Sequence, residues 1–348
     1  MGYTKIQKFK YNSYKEFLVI RELLSGKGTP RTWRCGASSV AAILNQSQYK
    51  DSFQFFYEAC DYWSAPHMLR PETHRGQVQE TMIYNEYWKY INPDDPSFES
   101  YVNNWHGEKK VYRKAVNEKH IYFNPKYPFS YASPDFSILK NPYSKNGALE
   151  LKSPTSRAIE KYEAGIPREY EIQIQQQMMI MNKKYGEVFM LRDSTYPELF
   201  CYEPDKILQE QIESETHDFH SLVMAGKEIV YSNMSFEEKE QALGEIAPEP
   251  TGLEGTTAFL KEHHKPENAK VSVDGTDEQL QTVLDYLVAK KEIKDLGEVN
   301  LQLENKIRSW FTGLIGVISF GPGIDISYKT KLNIPMRILD KISVGGEV

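Results

Sequence analysis

Apolar positions along the chain change period several times, and each change predicts an element. From 15 to 45 they recur every three or four residues in two runs, broken by Gly26, Gly28 and Pro30, which predicts a helix, a loop and a second helix. Helical spacing recurs at 76–88. Between 110 and 152 the period falls to two: 111–116, 120–123, 131–139 and 147–152 are separated by polar turns, the pattern of a β-meander. A helix follows at 169–184, then strands at 186–191 and 198–203, then a Glu- and Gln-rich helix at 205–227. The sum is an α/β (α+β) domain over 1–230, a mixed β-sheet flanked by helices.

Periodicity then weakens. Between 231 and 279, Pro248, Pro250, Gly252, Gly255, Pro266 and Gly275 interrupt a Glu- and Thr-rich stretch, which reads as a linker or loosely packed insertion. Residues 280–348 form an appended module. A helix at 280–314 sets Leu296, Leu303 and Trp310 against Asn300, Ile307 and Leu314 in a short heptad-like seam, and the alternating stretch 324–329 after Gly321-Pro322-Gly323 reads as a hairpin.

Composition narrows the class. The chain has 348 residues, 40% hydrophobic and 13% aromatic, rich enough in large apolar side chains for a packed core. No run approaches the ~20 apolar residues a bilayer span needs, and no signal-type apolar run follows Met1–Lys10, so a soluble, intracellular protein is expected. Cys35, Cys60 and Cys201 are odd in number and far apart, which argues against disulfides, structural zinc or an iron–sulfur cluster. The net charge of −6 repels nucleic acid overall, so any grip on DNA needs a local basic surface or metal ions.

The chemistry concentrates in Ser133-Pro134-Asp135 and, fifteen residues beyond the aspartate, Glu150-Leu151-Lys152. Side chains alternate along a strand, so Glu150 and Lys152 share one face while Leu151 packs into the core from the other. If the Asp135 strand pairs with this one, two carboxylates meet beside an ammonium. Phosphodiester hydrolysis uses such a group: a magnesium ion held by one or two carboxylates neutralises the phosphate and acidifies a water, which Lys152 would orient or activate. A surface Asp and an edge-strand Glu–Lys pair are common by themselves, so these residues alone leave a purely structural role open.

Further residues decide. With Gly76-Gln77-Val78-Gln79-Glu80 upstream and the helix carrying Gln173 and Gln175 downstream, the set resembles the PD-(D/E)XK nucleases, specifically the YqaJ-type viral recombinase and lambda-exonuclease family. The resemblance spans about 31–205 and implies a restriction-endonuclease-like core. It implies Glu80, Asp135, Glu150 and the Leu151 carbonyl as metal ligands, Lys152 as the catalytic lysine and Gln173 as a supporting residue; Gln175 reads as packing. Arg31 and Ser38, with Arg34 as helper, match family residues that hold a terminal 5′-phosphate, where a helix start and an arginine fork suit an anion. Arg157 matches an arginine that meets the DNA backbone. No apolar residue matches the family's strand-splitting wedge, a region occupied here by Thr73 and His74 after Met68 and Leu69.

The activity so implied is exonucleolytic cleavage of linear double-stranded DNA from a 5′ end with Mg²⁺, two ions per site, Mn²⁺ substituting. The resemblance further implies a ring-shaped homo-oligomer, a single-strand annealing protein as partner, and a phage or prophage origin in a bacterial cytoplasm. An endonuclease of the same fold and a non-catalytic DNA-binding scaffold are the alternatives.

Overall fold

The computed structural model describes residues 5–63, 71–91, 114–117, 119–140, 146–159, 165–253, 256–257, 259–260, 277–309, 316–319, 325–328 and 332–333, with backbone alone at 71–79, 114, 140, 157–158, 279 and from 298 onward. The chain divides into two compact units, Met1–Lys265 and Pro266–Val348. No helix among the described residues is long and apolar enough to cross a membrane.

The first unit is built on a five-stranded mixed sheet of β3 (Lys114–Val116), β6 (Phe136–Lys140), β7 (Gly147–Lys152), β8 (Gly186–Arg192) and β9 (Tyr196–Tyr202), in the order β3-β6-β7-β8-β9. Within this sheet β7 and β8 pair in parallel and the other described neighbours antiparallel. A parallel pair needs a crossover, and the chain supplies it through α5 (Ser156–Ile159) and α6 (Arg168–Met181). Leu149, Leu151, Phe189 and Leu191 cover one face of the sheet and pack with Ile83, Tyr84 and Tyr87 of α4 (Pro71–Ile91). Ala148, Val188 and Met190 cover the other, against Ile174, Ile180 and Met181 of α6.

Helix α6 is enclosed from both sides, because Ile172 and Met179 on its far face enter a second cluster with residues of α2 (Val40–Ile43), α3 (Ser52–Ala59), α7 (Lys206–Val230) and α8 (Phe236–Ile246). A helix surrounded this way buries its polar side chains too, and Gln173, Gln175, Gln176 and Gln177 are all buried.

Three expectations need correction. The stretch 110–152 is not one meander. β4 (His120–Phe123) and β5 (Ser130–Ala132) join β1 (Gln7–Lys10) and β2 (Cys35–Gly36) in a separate four-stranded sheet ordered β1-β4-β5-β2. The run 131–139 splits where Pro134, which has no N–H for a ladder, carries the chain from one sheet into the other.

The second helix expected before 45 is instead the two-residue β2, a 3₁₀ turn at Ala37–Ser39 and the single turn of α2. Backbone pairing outcompetes helix here: the Arg34 and Cys35 N–H groups donate to the carbonyls of Ser25 and Phe129.

The supposed linker also packs in part. α8 opens with a capping box between Ser235 and Glu238, Leu243 and Phe259 are buried, and the Thr251 and Thr256 hydroxyls donate to the Asp51 carboxylate. Frequent Pro and Gly hid a segment anchored by a few side chains rather than by periodicity. Residues 261–276 lie outside the described ones.

In the second unit, α9 (Asp277–Ser309) precedes an antiparallel β10 (Gly316–Ser319) and β11 (Asp325–Tyr328), with Ile318 opposite Ile326, and a short third strand β12 (Leu332–Asn333). The turn at 321–323 and the side chains of Asn300, Leu303, Ile307, Trp310 and Leu314 lie outside the described residues.

Candidate active site

Strand pairing decides whether the two carboxylates meet. The β6–β7 register matches Phe136 with Leu149 and Ser137 with Ala148, so one further step sets Asp135 opposite Glu150. The Asp135 carboxylate accepts the Leu151 N–H at 2.8 Å, which pins it at the mouth of the strand pair. Lys152 donates to Glu150 at 2.8 Å and to the Gln173 amide oxygen at 3.0 Å, while its ammonium lies 5.2 Å from the centre of the Tyr170 ring. The Gln177 amide donates to the other oxygen of Glu150. Tyr170, Gln173 and Gln177 are three and four residues apart, so one face of α6 frames the Glu150–Lys152 pair.

Glu80 enters from the opposite helix. Spaced three, four and seven residues before Ile83, Tyr84 and Tyr87, it continues the stripe by which α4 lies on the sheet. Electrostatics couples it to the pair. Burial and the nearby Glu150 push the Glu80 carboxyl above its ordinary range. Burial, Glu150 and Glu80 raise Asp135 well above the usual aspartate value, against the opposing pull of Lys152 and the Leu151 N–H. Burial disfavours the Lys152 cation, but Glu150 and Asp135 outweigh it, so its pKa is raised.

Such crowding of one buried and two half-buried carboxyls asks for a positive charge beyond Lys152. Among the described residues, no three Asp, Glu, His or Cys side chains close into a ready metal cage. The donor set still fits magnesium, a hard ion that takes one or two carboxylates and completes its shell with water and substrate phosphate.

The other candidate residues are placed less uniformly. Arg31 and Ser38 are both exposed, Ser38 on the 3₁₀ turn rather than at the start of a long helix. Arg34 is committed elsewhere: it donates to the carbonyls of Pro128 at 3.0 Å and Leu24 at 3.3 Å and lies 4.9 Å from the centre of the Phe123 ring. Gln175 bonds the Glu203 carbonyl and the Asp205 N–H, holding the start of α7 away from the acidic centre. Arg157 belongs to α5, but its side chain, like those of Met68, Leu69, Thr73 and His74, lies outside the described residues. Sequence reasoning missed Gln177 and Tyr170, which helical spacing from Gln173 would have found.

A Pro-Asp turn set beside a Glu-x-Lys strand in a mixed sheet, with an acidic helix residue alongside, is the arrangement that the sequence resemblance to the PD-(D/E)XK nucleases implies. Residues 29–184 match the model of the YqaJ-like viral recombinase domain. The uncharacterized protein YqaJ of Bacillus subtilis (strain 168) is 21% identical over 274 residues, 78% of this chain and 73% of that one. Among solved structures, an alkaline exonuclease (LHK-Exo) from Laribacter hongkongensis is 18% identical with a TM-score of 0.43, covering 64% of this chain and 99% of that one. A phage-related exonuclease from Haemophilus somnus 129PT is 13% identical with a TM-score of 0.35, covering 56% and 94%.

Proposed function

We propose that the chain is a metal-dependent deoxyribonuclease that removes nucleotides from the 5′ ends of linear duplex DNA. The observation that carries this reading is the convergence of Asp135 and Glu150 on adjacent strands with Lys152 bonded to Glu150. A divalent cation such as Mg²⁺, or Mn²⁺ in its place, would be held by Asp135, Glu150 and the Leu151 carbonyl, with Glu80 close by, one ion or two, and supplies charge neutralisation and an acidified water.

The chain's own groups do the rest. Lys152, kept charged by Glu150 and Asp135, donates a hydrogen bond to the attacking water or to a phosphate oxygen. Gln173 fixes that ammonium from behind and Gln177 fixes Glu150. Arg31 offers a two-pronged donor to a terminal 5′-phosphate, Ser38 adds a hydroxyl, and Arg157 meets the backbone. The products would be single strands for an annealing protein in a phage or prophage recombination system, and a homo-oligomeric ring would keep the enzyme on its substrate.

The test offers purified protein and Mg²⁺ linear duplexes with 5′-phosphate or 5′-hydroxyl ends beside closed circles. Stepwise loss from phosphorylated ends is expected. Rapid cutting of circles would replace the exonuclease with an endonuclease, and binding without cleavage on any substrate would leave a DNA-binding scaffold.

A further inference from the structure

Helix α7 carries a charge that the reaction does not use. The Lys227 side chain is fully buried, and its ammonium donates to the Gly26 carbonyl at 2.9 Å, the Thr29 carbonyl at 3.0 Å and the Asp61 carboxylate. All three donors are thereby spent. The same Asp61 oxygen accepts the Gly28 N–H at 3.0 Å and the Tyr231 hydroxyl at 3.1 Å. Residues from two distant parts of the sequence thus converge on the short loop that follows α1 (Tyr14–Ser25).

That loop has little freedom left. Gly26 and Gly28 take left-handed φ values of 72° and 73°, and a Cβ at Gly26 would stand 2.0 Å from the Thr32 carbonyl oxygen. The loop therefore folds tightly back on itself. Immediately beyond it, the Arg31 N–H bonds the Thr29 hydroxyl at 3.3 Å, and Arg34 is fastened to Leu24 and Pro128. Arg31 sits exposed on backbone gripped from both sides.

An ion pair withdrawn from water is a poor source of stability, since apolar side chains of equal volume commonly do as well. What it enforces is one geometry, because both charges are satisfied only when the Gly26, Gly28 and Thr29 backbone groups are in place. Resting on the end-recognition reading above, we propose that Lys227 and Asp61 are positioning residues for the 26–32 loop, holding it in the conformation that presents Arg31 to a terminal phosphate of DNA.

The experiment compares cleavage of duplexes bearing 5′-phosphate and 5′-hydroxyl ends by the full chain and by the Lys227→Met, Asp61→Asn and Arg31→Ala variants, with hydrogen exchange of the 26–32 amides in parallel. The two clamp variants are expected to lower the phosphate preference by roughly tenfold, the scale of one charge-assisted hydrogen bond. The loss should appear in KM, with kcat on hydroxyl ends unchanged and faster exchange confined to the loop. If Arg31→Ala collapses the preference and the folded clamp variants keep it, the clamp proposal falls alone. Should Arg31→Ala leave the preference intact, the end-recognition reading falls and takes the clamp's role with it. Asp61→Asn, which keeps the side-chain shape and leaves Lys227 two carbonyls, decides the matter if Lys227→Met does not fold.

Discussion

Removing the Lys152 side chain tests chemistry apart from binding. It touches Glu150 and Gln173 but anchors no core cluster, so Lys152→Ala should cut the cleavage rate by roughly 10²-fold or more with duplex affinity retained, read by single-turnover kinetics and fluorescence anisotropy. Undiminished cleavage would remove it from the mechanism. Gln177 acts one step back. Gln177→Leu removes the amide that donates to a Glu150 oxygen, and a loss of about 10–100-fold in Mg²⁺ affinity is expected by calorimetric titration, without DNA present.

Asp135 gives the site a pH signature. Its folded-state pKa lies above the unfolded value of 3.8, so the favourable contribution of its protonated form is full below that value and is lost as pH rises toward the folded pKa. The metal-free protein should therefore lose thermal stability as the pH rises from about 4 toward neutrality. Asp135→Asn should flatten that slope in a calorimetric series, and an equal slope in the variant would assign it to other groups.

At the level of elements, the site depends on how closely α6 lies on β8. Gly186, paired with Ala148 and Tyr202, leaves room for nothing larger: an added Cβ would stand 2.7 Å from Ile174 Cγ1 and 3.0 Å from Met178 Sδ. Gly186→Ala should lift the helix that carries Gln173 and Gln177. A cost of about 1–3 kcal/mol is expected in denaturant melts. Cleavage should fall further than the population of folded protein does; activity lost only in step with unfolding would mean that the helix position is irrelevant to the chemistry.

For the molecule as a whole, every residue that frames the acidic centre, from Glu80 to Gln177, belongs to the unit Met1–Lys265. A chain ending at Lys265 is expected to keep its circular dichroism and its metal-dependent cleavage, checked on the same linear duplex. Loss of cleavage by the folded truncated chain would give the second unit a part in the site. That unit exposes Leu280, Val283, Leu284, Leu287, Ile293 and Leu296 along α9.

What the sequence determined by itself was local. Period-two alternation placed Glu150 and Lys152 on one face and Leu151 on the other, and helical spacing found α4, α6 and α7, because strand and helix geometry fix neighbours a few residues apart. Tertiary structure alone decided which strands share a sheet, sending 120–123 and 130–132 away from 136–152, and it turned the expected phosphate helix into a short strand and a 3₁₀ turn. It also committed Arg34 to carbonyls and joined Lys227 and Asp61 to the loop before Arg31. Those outcomes turn on hydrogen bonds and burial between segments tens to hundreds of residues apart, and no local period records which distant partner a polar group will find.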